Sequence, residues 1–383
     1  MTEKLYDANS YLASFEAKVR SCENTKRGYK ILLDKTAFFP EEGGQCCDRG
    51  KLGGADVTYV EICGDEIYHY CSCPFEAGDT VSGEIDFSLR YRNMQNHTGE
   101  HILCGLAHKL FECENVGFHL GADYVTMDLD KPLTRENLDE IELLANEAVY
   151  KNVPVRGFYP DKATLDATDY RSKSKIEGRV RLVEIEGYDM CACCAPHVAK
   201  TGEVGIIKIL DHINYKGGVR LNILCGSDAL RDYNERYLRN LRISNLLSVK
   251  QEDVCAGVER LLEEIGSLRQ QLAEKSRIIA GMYADGAEVS DGNICIFARE
   301  LTRDEMRLTV NELKEKTPGV AAVFCGCDED GYSYIIGSDT VDLKAVAPEF
   351  NKALNGRGGG NSRMIQGSVS AKKDDIQKCM KGI

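Results

Sequence analysis

The sequence predicts an α+β chain in four parts, and three observations carry that reading. Tracts rich in β-branched and aromatic residues, cut by Gly and Asp turns, fill the first 88 residues. Strand-like and helix-like patterns then alternate to about residue 227, and again from about residue 287 to the end. Between these two regions runs a stretch with no proline, sparse glycine and dense charge. The expected parts are a β-rich, barrel-like segment at 1–88, an α+β segment at 89–227, a helical coiled-coil connector at 228–286 and an α/β segment at 287–383.

The elements follow in order. YKILLDKTAFF and GADVTYVEICGDEIYHY read as strands, and the loop TAFFPEEGGQCCDRGKL between them carries Gly43 and Gly44 in tandem. Residues 89 to about 110 read as a helix with Met94, Ile102, Leu103, Leu106 and Leu110 as its apolar positions. TRENLDEIELLANEAVYKN is a second helix, capped by Thr134, with Asn137 where a capping box prefers Glu or Gln. RVRLVEIEGYD reads as a strand leading into CACCAPHVAKTGEVG. In the connector, Val258, Ile265, Leu272 and Ile279 recur every seven residues, as do Val254, Leu261 and Leu268. That seam predicts a coiled-coil hairpin or a homodimer contact through residues 228–286, against a single amphipathic helix packed on its own domain. Strands NICIFARE, VAAVFCGCDE and YSYIIGS alternate with helices starting near Arg303 and Val341, and the glycine cluster GRGGGNSRMIQGS follows, with Gly358–Gly360 read as a turn.

Composition bounds the function. At 28% charged and 43% hydrophobic residues the chain has an ordinary globular balance. No apolar run approaches the length of a membrane span and the first residues contain no apolar signal core, so a cytoplasmic protein without membrane contact is expected. Seventeen cysteines are an odd number and too dilute for a disulfide scaffold, which points to buried thiols and a few metal ligands. A net charge of −13 argues against an indiscriminate polyanion binder but leaves room for local basic faces. Two stand out. YRSKSKIEGRVR carries Arg171, Lys173, Lys175, Arg179 and Arg181 against one Glu, and the stretch from Phe350 onward holds seven Lys or Arg against two Asp.

The chemistry gathers in NHTGEHIL and CACCAPHV. On a helix His97 and His101 stand one turn apart on one side, and Cys193 and His197 repeat that spacing with a thiolate and an imidazole, a set suited to Zn²⁺. Either pair alone is weak evidence. Together with the glycine loop, however, TAFFPEEGGQCCDRG, NHTGEHIL, CCAPHVAKTGEVG and GGVRLNILCGSDAL stand in the order found in the editing domain of alanyl-tRNA synthetases, and the sequence resembles the freestanding alanyl-tRNA editing proteins of the AlaX type. The tail GRGGGNSRMIQG resembles the glycine-rich end of the nucleic-acid-binding domain at synthetase C-termini and in DHH-family phosphoesterases, which points to the long form.

The resemblance implies a zinc-containing editing domain at 89–227, a DHHA-type tRNA-binding domain at 287–383, and one Zn²⁺ per chain on His97, His101, Cys193 and His197. It implies deacylation, in trans, of tRNA(Ala) mischarged with serine or glycine. Thr36 matches a position resembling a hydroxyl reader, while Gly43, Gly44 and Gln45 would let backbone approach the substrate. The sequence departs from the synthetase pattern in two places. CCAPH replaces CGGTH, so Cys191 and Cys194 are extra thiols, and NVGFHLG leaves Phe118 or His119 to shape the pocket. Whether His197 is a ligand or a general base stays open. Arg171, Lys173 and Lys175, together with Arg357, Gly358, Gly359, Gly360 and Arg363, are the expected phosphate contacts. The competing readings are a non-catalytic zinc protein that binds RNA, which would show no deacylation, and a DHH-type phosphoesterase, whose Asp-His-His run is missing at Asp211-His212-Ile213.

Overall fold

In the tract SFEAKV every second residue is apolar, and Phe15, Ala17 and Val19 all enter one core, the period-two signature of a half-buried strand. The computed structural model describes residues 1–121, 125–172 and 178–383. They form two units, Met1–Asn240 and Leu241–Ile383, and the division falls inside a helix.

In the first unit six strands close into an antiparallel barrel. They are β1 (Ser14–Thr25), β2 (Gly28–Leu33), β3 (Gly50–Leu52), β4 (Ala55–Cys63), β5 (Glu66–Cys71) and β6 (Thr80–Ile85), in the order β1-β2-β5-β4-β3-β6 with β6 returning to β1. A barrel this small is filled by side chains, here Phe15, Ile31, Phe38, Leu52, Val60 and Ile67 among others.

Helix α1 (Phe87–Phe111) leaves the barrel through Asp86, whose carboxylate accepts from the Leu89 N–H at 3.1 Å. Every residue from 93 to 107 is buried, so α1 is a central helix rather than an amphipathic one, and the polar side chains on it are inside the protein. Around it stand β7 (Asn115–Leu120), β8 (Val125–Leu129), α2 (Arg135–Lys151), β9 (Val155–Phe158), β10 (Leu182–Ile185), β11 (Asp189–Ala192), β12 (Ile207–Tyr215) and β13 (Gly218–Cys225). Two antiparallel sheets result, β12-β13-β8-β7 and β9-β10-β11. Asn137 completes the capping box of α2 despite being neither Glu nor Gln: its Oδ1 accepts from the Thr134 N–H at 3.1 Å while its own N–H donates to Thr134 Oγ1. An amide oxygen is the same kind of acceptor on a shorter stem.

Helix α3 (Gly226–Leu247) spans the division between the units. In the second unit, α4 (Val254–Asp285) buries Gly257 near its start and Ala280 and Ala284 in its last turns. There it meets α5 (Arg303–Lys314), and Ser276 Oγ donates to Glu305 Oε1 at 3.1 Å. The heptad residues Val258, Leu261, Ile265, Leu268 and Leu272 are exposed, Leu272 at 67%. A six-stranded sheet follows, built from β14 (Val289–Ser290), β15 (Asn293–Ala298), β16 (Ala321–Cys327), β17 (Gly331–Gly337), β18 (Gly356–Gly360) and β19 (Met364–Val369) in the order β14-β15-β16-β17-β19-β18. The glycine cluster, which reads in sequence as a turn, is thus an edge strand. No helix among the described residues is long and apolar enough to cross a membrane.

Candidate metal centre

The buried face of α1 carries His97 and His101 one turn apart, with ring centroids separated by 5.3 Å. The loop after β11 brings His197 against both, at 4.9 and 4.7 Å. Cys193 Sγ lies 3.6 Å from His97 Nε2 and 3.4 Å from His197 Nε2. One donor atom from each of these four residues lies within 4.8 Å of all the others. The four residues expected as ligands from two distant motifs are therefore brought together.

Each imidazole is also held from behind. His97 Nδ1 faces Gln45 Oε1 at 2.6 Å, His101 Nδ1 faces Asp189 Oδ2 at 2.8 Å, and His197 Nδ1 faces Thr98 Oγ1 at 3.0 Å. An amide oxygen or a carboxylate can only accept, so His97 and His101 carry their protons on Nδ1, and Thr98 is suited to accept in the same way. In all three rings Nε2 is left as the atom that can bind a cation. Burial alone would raise the Cys193 thiol, but the imidazoles of His97 and His197 draw it well below its ordinary value, toward the thiolate a metal needs. Burial pulls His197 down to about 3, so it is neutral near pH 7. Three imidazoles and one thiolate fit a borderline-soft cation of the Zn²⁺ kind.

The supporting loop is fixed by residues of the basic stretch. Arg181, buried, donates from Nη1 to the carbonyls of Cys193 and Ala195, both at 3.0 Å. Arg171 turns inward and grips Asp189 through Nε at 2.8 Å and Nη2 at 2.9 Å, and Arg179 lies over the Tyr159 ring. Lys173 and Lys175 lie outside the described residues.

The other expected residues divide. Phe118 packs on His97, centroid to centroid 4.7 Å, while His119 is exposed on the opposite side of β7. Gly43 and Gly44 both have positive φ, and a Cβ on Gly44 would strike the Phe118 carbonyl oxygen, so glycine is what lets the loop lie against β7. Gln45 enters the site by its side chain rather than its backbone, and its buried Nε2 has no hydrogen-bond partner among the described residues. Thr36 sits in the barrel, fully buried, with its hydroxyl 2.8 Å from His69 Nε2 and accepting from the Phe38 N–H. Cys194 lies near Gly43 rather than in the cluster, and Cys191 falls in a second grouping with His101 and Asp189. Arg357, Gly358–Gly360 and Arg363 are exposed in the second unit. Arg357 and the three glycines border a groove of about 480 Å³ between β18 and α6 (Leu343–Ala353), whose other side includes Lys344 and Asn351.

Sequence reasoning missed Thr98, Glu100 and Asp189. Glu100 is buried beside the cluster, its Oε2 3.9 Å from His101 Nε2, and it accepts from Asn115 Nδ2 and from the Cys104 thiol. Its place between two candidate ligands in NHTGEHIL was the signal available.

The stretch around Cys193 and His197 is the one that a known family matches. The model of the threonyl and alanyl tRNA synthetase second additional domain covers residues 180–222. Over that stretch the chain is similar to synthetase-type additional domains. The chain is, over nearly its full length, a homologue of the alanyl-tRNA editing proteins of the AlaX type. It is 25% identical to the alanyl-tRNA editing protein AlaX-L of Pyrococcus horikoshii, over 98% of this chain and 96% of that one. It is 26% identical to the alanyl-tRNA editing protein Aarsd1-B of Xenopus laevis, over 91% and 86%. The alanine–tRNA ligase of Ignicoccus hospitalis matches at 29% identity over 94% of this chain, which spans only 40% of the ligase. Among solved structures, the C-Ala domain of Aquifex aeolicus alanyl-tRNA synthetase matches 25% of this chain at a TM-score of 0.22, too low to support a structural argument.

Proposed function

We propose that the chain is a trans-acting hydrolase that frees mischarged tRNA(Ala) of serine, and of glycine, at a site centred on one Zn²⁺. The observation that carries this reading is the convergence of His97, His101, Cys193 and His197, each imidazole braced through Nδ1, in a homologue of alanyl-tRNA editing proteins. A zinc ion there would supply the positive charge that polarises an ester carbonyl or acidifies a water. The protein's own groups provide the rest. Phe118 walls the site beside His97, the Gln45 Nε2 donor is available to an acceptor on the substrate, and Glu100 is a carboxylate near His101 Nε2 that can hold a proton. The need for such an enzyme follows from pocket physics: an alanine-activating site excludes neither smaller glycine nor serine strongly, because serine only adds a hydroxyl. In the second unit, the exposed Arg357 and Arg363 flanking Gly358–Gly360 support contact with the tRNA backbone.

The test is deacylation of Ser-, Gly- and Ala-tRNA(Ala) by the full chain, with and without a chelator. Ser-tRNA(Ala) should be hydrolysed far faster than Ala-tRNA(Ala), with activity lost on chelation and restored by Zn²⁺. Cys193→Ala should lose metal and activity together. Metal binding without any deacylation would favour a non-catalytic RNA-binding protein.

A further inference from the structure

Of the three residues that brace the imidazoles, two are neutral and one is charged. Gln45 and Thr98 offer an amide and a hydroxyl oxygen, whereas His101 meets a carboxylate whose side chain is only 1% exposed. A buried carboxylate is costly unless it is paired. Here the pairing is specific. Arg171 takes Oδ1 through Nε and Oδ2 through Nη2, and the same Oδ2 accepts from His101 Nδ1. The backbone of Arg171 is pinned as well: its N–H donates to the Met190 carbonyl and its own carbonyl accepts from the Ala192 N–H, both at 2.9 Å. The guanidinium is therefore anchored to the strand that leads to Cys193.

A second feature of the chain makes this contact possible. Gly105 follows His101 by one turn on the same face of α1, and a Cβ there would collide with the Tyr188 carbonyl oxygen and come within 2.9 Å of Asp189 Cβ. The bare glycine lets the start of β11 lie against the helix, at the distance Asp189 needs to reach His101.

We propose that Asp189, held by Arg171, is the positioning residue that makes His101 the anchoring ligand of the metal centre. This rests on reading the His/Cys cluster as a metal site. A carboxylate behind an imidazole fixes its tautomer and its ring plane and makes the opposite nitrogen a stronger ligand than an amide or a hydroxyl would. The two-pronged grip of Arg171 aims Oδ2 at Nδ1 and offsets the carboxylate's charge, so the cluster gains a strong ligand without gaining net negative charge. It also gives Arg171 an inward role, in place of the phosphate contact that its basic neighbourhood suggests.

The experiment is a zinc titration of the full chain against a competing chelator, with cobalt(II) absorption as a second readout. Asp189→Asn keeps an oxygen acceptor but loses the charge. It should bind zinc on the order of 10–100-fold more weakly and shift the cobalt ligand-field bands. Arg171→Lys keeps the charge but not the two-pronged grip, and should move affinity in the same direction. It remains informative if Asp189→Asn does not fold. Asp128→Asn is the control, because Asp128 makes a similar two-pronged pair with Arg220 and, among the described residues, no hydrogen bond to an imidazole. It should leave zinc affinity unchanged. If wild type binds zinc and both Asp189→Asn and Arg171→Lys bind it equally well, the inference is overturned and the metal site stands. If wild type binds no zinc, the reading of the cluster falls and this inference with it.

Discussion

Arg90 and Asp48 form a two-pronged ion pair from which water is wholly excluded, both side chains being 0% exposed. Arg90 Nε lies 3.0 Å from Asp48 Oδ1, Nη2 reaches the other carboxylate oxygen and the Ala37 carbonyl, and Nη1 donates to the Ser10 carbonyl. Asp48 also accepts from the Phe39 N–H. One guanidinium thus ties α1 to the barrel and to the loop that holds Gln45. A buried pair is weak evidence of net stability, but breaking it leaves a stranded charge. Asp48→Ala should therefore cost about 3–5 kcal/mol, read as a lowered unfolding midpoint of the transition belonging to residues 1–240. A midpoint equal to wild type would show that Arg90 finds other partners.

His69 predicts a pH dependence of stability. Its Nδ1 faces the Ile31 carbonyl, which can only accept, so the neutral ring carries its proton there and Nε2 accepts from the Thr36 hydroxyl. Burial lowers the imidazole from 6.5 to about 4. The unfolded chain therefore binds the proton first as pH falls, so the contribution is intact above pH 6.5 and is lost progressively down to about pH 4. The loss amounts to about 3 kcal/mol, from 1.36 kcal/mol per unit. Denaturation midpoints between pH 4 and 7 should slope accordingly, and His69→Gln should flatten the slope. Parallel slopes for the two proteins would remove His69 as the cause.

The exposed heptad face predicts self-association. Leu261, Ile265, Leu268 and Leu272 present a continuous apolar seam to solvent, a configuration that soluble monomers rarely keep. Sedimentation should find a homodimer for wild type and a monomer for the Leu261→Glu, Leu268→Glu double variant. A wild-type chain that stays monomeric at high concentration would show that the seam has another use.

Arg357→Ala with Arg363→Ala should raise KM for mischarged tRNA while leaving kcat nearly intact, because uniform binding is what is lost. The salt dependence of tRNA affinity should become shallower as fewer phosphates are neutralised. If kcat fell instead, these arginines would belong to the chemistry rather than to docking.

Half of the His/Cys cluster was legible in sequence because four-residue spacing on a helix is a local pattern, and His97 and His101 needed only α1 to face the same way. Pairing them with Cys193 and His197 required the family resemblance, since nothing local joins residues 96 positions apart. What stayed hidden depends on long-range approach. A run of Arg and Lys reads as a solvated surface, and only the packing of β11 on Gly105 shows Arg171 turned inward to Asp189. Thr36 reads as a hydroxyl reader or as a plain strand threonine, and its buried partner His69 arrives only with β5. The glycine cluster reads as a turn because glycine disfavours strands. It becomes β18 because β19 offers it a ladder of hydrogen bonds from Gly356 to Gly360.

That edge strand has a consequence for how the molecule behaves in company. Four of the five residues of β18 have no side chain, so one rim of the six-stranded sheet is bare backbone, with neither bulk nor a bulge to blunt it. Such a rim is a template on which any extended chain can continue the sheet. The sole charged side chain within the strand is that of Arg357. The side chain proposed above for a phosphate contact would thus also set like charge against like charge where two copies of this rim met.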